Sequence, residues 1–207
     1  MEDPQVEALL AKQTDVSNAA ELQADEMLMQ RVQQGDSAAF QQLVRQHVRA
    51  LHGFARRLLG NSAEAEDIVQ ETFIRVWHRA AQWQIGRARL STWLHSIAYH
   101  LCIDMGRRNH IQTVSMSIDE VMDDAEVAGI SESLEHVQRE EMIQEVEAAL
   151  QQLPERQRSA IVLCYYQNMS NSDAAEVLAV SIPALESLLA RGRRTLREKL
   201  QAHLIDG

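Results

Sequence analysis

The residues best suited to chemistry in this sequence suit binding, and they fall in three rows. The first lies between Arg87 and Arg108. Arg87 and Arg89 stand just ahead of a helix-start signal at Ser91, and Arg107 and Arg108 close the same helical segment. Between them, the side opposite the apolar stripe carries His95, Ser96, Tyr99, His100 and Asp104. Guanidinium groups hold phosphates, while a phenol or imidazole ring stacks on, or hydrogen-bonds to, an unstacked base, so this row suits a single nucleic-acid strand. A solvated helix with a basic C-terminus that complements its dipole carries the same residues, and the row alone does not decide between the two.

The second row lies just upstream, in AEAEDIVQETFIRVWHRA. It sets Asp67, Gln70, Glu71, Ile74 and His78 on one side, an acid and amide face with one isoleucine outside the apolar stripe. Such a face suits docking on another protein. It also suits plain solvation, because single exposed apolar side chains are common.

The third row is near the C-terminus. Ser170 caps a short helix with Asp173 three residues on, a turn follows at Ala179 and Val180, and Ser181 caps the next helix with Pro183 in its first turn. That is the spacing of a helix-turn-helix, and the alanines at 174 and 175 let the two helices approach. The second helix leaves Ala184, Glu186, Ser187, Ala190, Arg191, Arg193 and Arg194 off its leucine stripe. Recognition helices place their N-terminal part in the major groove and grip phosphates further on. Ser181, Ala184, Glu186 and Ser187 are then candidates for base reading and Arg191, Arg193 and Arg194 for the backbone. Glu186 suits a cytosine amino group and equally repels phosphates.

Helices must position all three rows. Apolar residues recur at helical spacing in Ala65, Ile68, Val69, Phe73, Val76 and Trp77, and again in Trp93, Leu94, Ile97, Ala98, Leu101, Cys102 and Met105. Upstream, Asp36 is an expected N-cap and Gly60 with Asn61 a helix stop; downstream, Pro154 ends a helix marked by Ile143, Val146, Leu150 and Leu153. Three prolines, eight glycines, few aromatics and no alternating apolar run predict an all-α chain in two small domains.

The net charge of −10 argues against nucleic-acid binding if it is spread evenly, and it is not. Residues 1–26 hold one basic and seven acidic side chains, 27–109 eleven and six, 110–138 none and seven, 139–207 eight and ten. The segment with the first two rows is net positive by five, flanked by an acidic extension and an acidic linker. Domains are expected at 27–109 and 139–204, with 1–26 an extension and 110–138 the linker.

Neither a secretory leader nor an apolar run long enough to span a bilayer is visible, so a cytoplasmic protein without membrane insertion is expected. Cys102 and Cys164 sit on apolar faces and suit buried thiols better than a disulfide. His47 with His52, and His95 with His100, are five apart, which turns the rings to different sides of a helix; no metal, other cofactor or catalytic constellation is expected.

Two of the segments also resemble a known family. AEDIVQETFIRVWHRA followed by ARLSTWLHSIAYHLCIDMGRRN is similar to regions 2.2 to 2.4 of bacterial RNA polymerase sigma factors of the extracytoplasmic-function (ECF, group IV) subfamily of the sigma-70 family, and VQQGDSAAF to the start of region 2. QQLPERQRSAIVLCYYQNMSNSDAAEVLAVS resembles region 4 of the same group. The resemblance implies a sigma region 2 helical bundle and a region 4 helix-turn-helix. It implies that Asp67, Gln70, Glu71 and Ile74 dock on core RNA polymerase. It gives the helix 91–108 and its preceding loop the melted −10 promoter element, with Arg87, Arg89, Ser96, Tyr99, His100, Arg107 and Arg108 as contacts, and the last helix the duplex −35 element. An anti-sigma factor is the implied controlling partner, which would hold the protein inactive, at the inner membrane where that partner sits there. The chain departs from the pattern twice: IAYH stands where the family has roughly IARN, and ALESLL where it has something like TVKSRL. The bases chosen do not follow from the resemblance. Without it, a helix-turn-helix regulator that binds operator DNA unaided fits the same C-terminal row, and a helical protein adaptor would leave the arginines without a role.

Overall fold

A computed structural model describes residues 22–115 and 134–206. Residues 1–21 of the acidic extension, among them the apolar Val6, Leu9 and Leu10, and residues 116–133 of the acidic linker, among them Ile118, Val121 and Met122, lie outside the described residues. Those described are helical and contain no strand.

Helix α1 covers 22–33 and turns Leu28, Met29 and Val32 inward. Gly35, at a φ of 82°, makes the turn that Asp36 then closes. The Asp36 carboxylate accepts from the backbone N–H groups of Ala38 and Ala39 and starts α2, Ser37–Leu59. These backbone bonds, then Arg31 at 2.7 Å, hold its pKa below the ordinary value. Gly60, at a φ of 78°, ends α2, and Asn61 caps α3, Ser62–Arg79. A short 3₁₀ turn, Ala80–Gln82, leads into the loop before α4, Leu90–Ser115. The expected cap at Ser91 is therefore one residue inside the helix, and its carbonyl faces His95 Nδ1 at 2.8 Å. Leu43, Leu51, Phe54, Ile68, Val76, Leu90 and Leu94 fill the space between these helices and are fully buried.

The second module starts with α5, Leu134–Gln151, and α6, Glu155–Ile161, which runs into a π-helical turn, Val162–Tyr166. Helices α4 and α5 thus take in the first and last residues of the stretch read as linker. Ser170 caps α7, Asn171–Val177, by accepting from the Asp173 N–H at 3.1 Å. Ala179 takes a φ of 51°, left-handed for a residue with a Cβ, and turns the chain into α8, Ile182–Asp206. At Gly192, α8 crosses α6 so closely that a Cβ would stand 3.1 Å from Ile161 Cγ1.

The two modules pack on each other. Helix α4 lies against α7, and α2 against α5 and the π turn. Thr92 Oγ1 donates to Asp173 Oδ1 at 3.0 Å, Glu147 pairs with Arg56 and lies 3.7 Å from Arg57, and the Gln151 amide donates to the Arg57 carbonyl at 2.9 Å. The Arg57 guanidinium sits 4.3 Å from the centre of the Tyr166 ring.

Candidate protein and nucleic-acid interfaces

On α3, Asp67, Gln70 and Ile74 are exposed and Glu71 is half-buried, its carboxylate accepting from Arg75 Nε at 2.7 Å. The structure brings the four together on one strip of α3. Ile74, 46% exposed, stands between two hollows. On its α2 side is an apolar groove of about 610 Å³, floored by Phe40, Val44, Val48 and Phe73, with Trp77 at one end and Gln70 and Glu66 on the rim. On its α4 side is a more polar hollow of about 480 Å³ in which Asp67 and Glu71 face Asp104 and Arg108.

The apolar groove was not read from the sequence. Trp77, assigned there to the core, is 37% exposed, with its ring centre 4.9 Å from that of Phe40. The signal available was the exposed pair Ile74 and Trp77, three apart on one face.

At the start of α4, Arg87 and Arg89 are exposed in the loop. Gly86, at a φ of 76°, makes its turn, and Gln33 Nε2 on α1 donates to the carbonyls of Ala80 and Trp83, 3.0 Å each, just before it. At the other end Arg107 and Arg108 are exposed. His100 is also exposed, its Nδ1 2.6 Å from the Ser96 carbonyl, and Ser96 Oγ donates to the Thr92 carbonyl at 3.0 Å.

The middle of the row differs from the expected open face. Tyr99 is 8% exposed and His95 3%. Helix α4 is apolar on one side, but its polar side is covered too, by the second module beside Thr92 and Tyr99 and by Phe54 of α2 beside His95, which the helical period of α4 cannot report. Burial first, then the charge of Glu155 on α6, pushes the Tyr99 phenol up from its ordinary pKa. Burial lowers that of His95, against the Ser91 carbonyl and Gln167, yet His95 Nε2 has no partner in hydrogen-bond geometry.

On α8, Ser181, Ala184, Glu186, Ser187, Arg191, Arg193 and Arg194 are all exposed. Ser181 Oγ accepts weakly from the Ala184 N–H at 3.4 Å. Arg191 Nε donates to the Ser187 carbonyl at 3.2 Å, and Arg193 donates to the Tyr165 hydroxyl at 3.0 Å. Tyr165 and Ile182, 52% and 45% exposed, join this face and were not singled out from the sequence. Ile182 offers an apolar contact of the kind that meets a thymine methyl at the entrance of the helix.

Cys102 is buried and its thiol is pushed up to about 12 by burial; Cys164 is half-buried and raised by the same cause. Among the described residues no three His, Cys, Asp or Glu side chains converge as a metal site, and no helix is long and apolar enough to cross a membrane.

Comparison with known proteins matches these modules in order. Residues 43–110 match the Sigma-70 region 2 family and residues 143–196 the Sigma-70, region 4 family. The chain is 36% identical over 173 residues to the ECF RNA polymerase sigma factor SigE of Mycolicibacterium smegmatis, covering 82% of this chain and 65% of that protein. It is 31% identical over 187 residues to the ECF RNA polymerase sigma factor SigW of Bacillus subtilis, covering 84% of this chain and 95% of that one. The fold is similar to that of the sigma factor RpoE of Bartonella quintana, solved with the anti-sigma factor NepR, at a TM-score of 0.62 and 26% identity, over 78% of this chain and 96% of that one. With both regions in sequence and nearly the whole of SigW covered, the chain belongs to the extracytoplasmic-function RNA polymerase sigma factors.

Proposed function

We propose that this protein is a dissociable subunit of bacterial RNA polymerase that carries the core enzyme to promoters, with its three faces divided between enzyme, single strand and duplex. Family membership carries this reading, and the placement of the faces on separate helices supports it. It disfavours the unaided operator-binding regulator.

Asp67, Gln70, Glu71 and Ile74 on α3 dock on core polymerase. The apolar groove beside Ile74 extends that surface and takes an apolar ridge of the partner. Arg87 and Arg89 at one end of α4, and Arg107 and Arg108 at the other, hold the phosphates of the melted −10 strand, with the half-buried Ser96 and the exposed His100 between them as base contacts. Ser181, Ala184, Glu186 and Ser187 enter the −35 major groove, and Arg191, Arg193 and Arg194 hold its backbone. The domains are 27–109 and 139–204, joined by the acidic stretch 110–138 and preceded by the acidic extension 1–26. The chain binds and positions; bond making is left to the core enzyme.

Bartonella RpoE was solved with an anti-sigma factor. Control by such a partner in the cytoplasm, at the inner membrane where the partner is anchored there, belongs to the same reading.

The test is run-off transcription from genomic fragments with bacterial core polymerase, with footprints of the active templates. A sigma subunit gives start sites only with core enzyme and protects asymmetric −35 and −10 elements. A symmetric footprint by the chain alone would replace this reading with the regulator.

A further inference from the structure

Arg193 finds its partner outside its own helix. Its Nη1 donates to the hydroxyl of Tyr165 at 3.0 Å, although 28 residues separate the two in the chain and both are exposed, Tyr165 to 52%. The geometry points to Tyr165 as a positioning residue for DNA: its hydroxyl holds the Arg193 guanidinium in place for a backbone phosphate beside the −35 groove. This rests on the reading of α8 given above and adds a residue from outside α8 to it.

The backbone presents the phenol. Ala160, Ile161, Val162 and Leu163 are all buried, so the end of α6 is enclosed on every side, and there the helix opens into the π turn Val162–Tyr166. The Gln167 N–H closes that turn on the Val162 carbonyl at 3.1 Å, five residues back. Widening the turn shifts the side chains that follow round the axis. Tyr166 then packs against the core, while Tyr165 is left on the outside, within reach of α8. Turns of this kind are rare and recur at functional sites.

Arg193 lies on the side of α8 that carries Ile182 and Glu186, eleven and seven residues back, which is three turns and two turns of helix. A guanidinium on an exposed helix face otherwise swings through many rotamers, and holding it before DNA arrives removes part of the ordering cost of binding. One N–H goes to the phenol, and the others stay available to phosphate oxygens. The choice of partner matters as well. Arg194, the next residue, faces the Glu198 carboxylate at 3.9 Å, whereas the phenol is neutral and does not offset the charge of Arg193. A base takes no part in this arrangement, so the pair holds the backbone whatever the −35 sequence.

A double-variant cycle in the holoenzyme tests this. Tyr165→Phe removes the hydroxyl and keeps the ring, Arg193→Ala removes the guanidinium, and a third variant carries both. Each is assembled with saturating core polymerase and titrated against a labelled promoter fragment active in run-off transcription, and against fragments with single −35 substitutions. We expect Tyr165→Phe to weaken binding about fivefold, the worth of one hydrogen bond to a charged group, and by the same factor on every fragment. Core retention and melting temperature should not change. In the Arg193→Ala background the same substitution should cost less than about twofold, because the phenol acts through the guanidinium. A phenol that only braces the fold would lower the melting temperature and cost as much without Arg193 as with it. That outcome would overturn the proposal, as would parental binding by Tyr165→Phe or a loss of core retention that accounts for the weaker binding. If the unmodified holoenzyme is indifferent to every −35 substitution, the reading of α8 itself fails, and the role of Tyr165 falls with it.

Discussion

Phe40 on α2 and Trp77 on α3 meet with ring centres 4.9 Å apart and planes 60° to each other, and the groove they share opens beside the exposed Ile74. An aromatic pair at the edge of an open apolar groove is the kind of feature that dominates binding energy at protein interfaces. Replacing Trp77 with alanine removes one wall of that groove while leaving fully buried Val76 and Leu43 in place. Core-polymerase affinity should fall about tenfold or more, corresponding to roughly 1.4 kcal/mol or above, as measured by titration of labelled protein with core enzyme. Unchanged affinity would remove the groove from the docking surface.

The polar part of the same strip calls for a separate test. Asp67 is exposed and Glu71 is tied only to Arg75 one turn on, so Asp67→Lys with Glu71→Lys should cost little stability. Co-purification with core polymerase should be lost while the melting temperature stays within a few degrees. Normal co-purification of the double variant would remove these two acids from the interface.

A pH dependence follows from two imidazoles, His47 on α2 and His95 on α4. Burial lowers both, His47 from 6.5 to about 4, with the neighbouring His95 as a second cause, and Nε2 of each is buried without a partner. In the unfolded chain each takes a proton near its ordinary pKa, whereas the folded chain resists protonation to lower pH. The unfolded state thus binds more protons in this window, and stability must drop as pH falls from about 6.5 toward about 4. The His47 share is at most about 3 kcal/mol, from the size of its shift. Urea titrations at pH 7.5, 6.0 and 5.0 should show the decline, and His47→Gln should flatten it.

What the sequence could announce, and what it could not, follows from how local each cause is. Asp36, Gly60, Ser170 and Ser181 act on backbone groups within four residues, and all four end or begin helices as their types suggest. The apolar stripes likewise fixed which side of α3 and α4 meets the core. Trp77 escaped because it lies at the edge of the α3 stripe, lining the open groove with Phe40 and Ile74, while Val76 and Ala80 on either side of it along the chain are buried. Tyr99 was read as open because its cover includes α6, more than 50 residues further along the chain, and His95 because its ring meets Phe54 on α2 and the side chain of the distant Gln167. A period along one helix tells which face is apolar. It carries no information about which polar face another module will sit on.

Ala179 is the residue that turns α7 into α8, and at a φ of 51° its Cβ is strained where glycine would not be. Its carbonyl-side neighbour Val180 donates to the Ala175 carbonyl at 3.0 Å, which fixes the turn, so the strain cannot relax without loosening the angle between the two helices. Ala179→Gly should therefore raise stability by about 0.5–1 kcal/mol, the relief being partly offset by the extra freedom glycine gains when unfolded. Thermal denaturation of the full chain checks the sign, and a fall would mean that the alanine methyl packs against something that outweighs the strain.

The proposed division of α8 into phosphate holders and base readers is testable at Arg191. Its Nε donates to the Ser187 carbonyl one turn back, which leaves the outer nitrogens of the guanidinium to reach away from the exposed helix face. A phosphate contact is indifferent to sequence, so Arg191→Ala should weaken holoenzyme binding to every −35 duplex by a similar factor and reduce the salt slope of log K by about 1. Glu186→Ala, by contrast, should change the ranking of −35 sequences, because a carboxylate accepts from cytosine and repels elsewhere. Competition assays against a −35 library at two salt concentrations distinguish the two. If Arg191→Ala alters base preference, or Glu186→Ala scales all sites alike, the assignment of readers and holders along α8 is reversed.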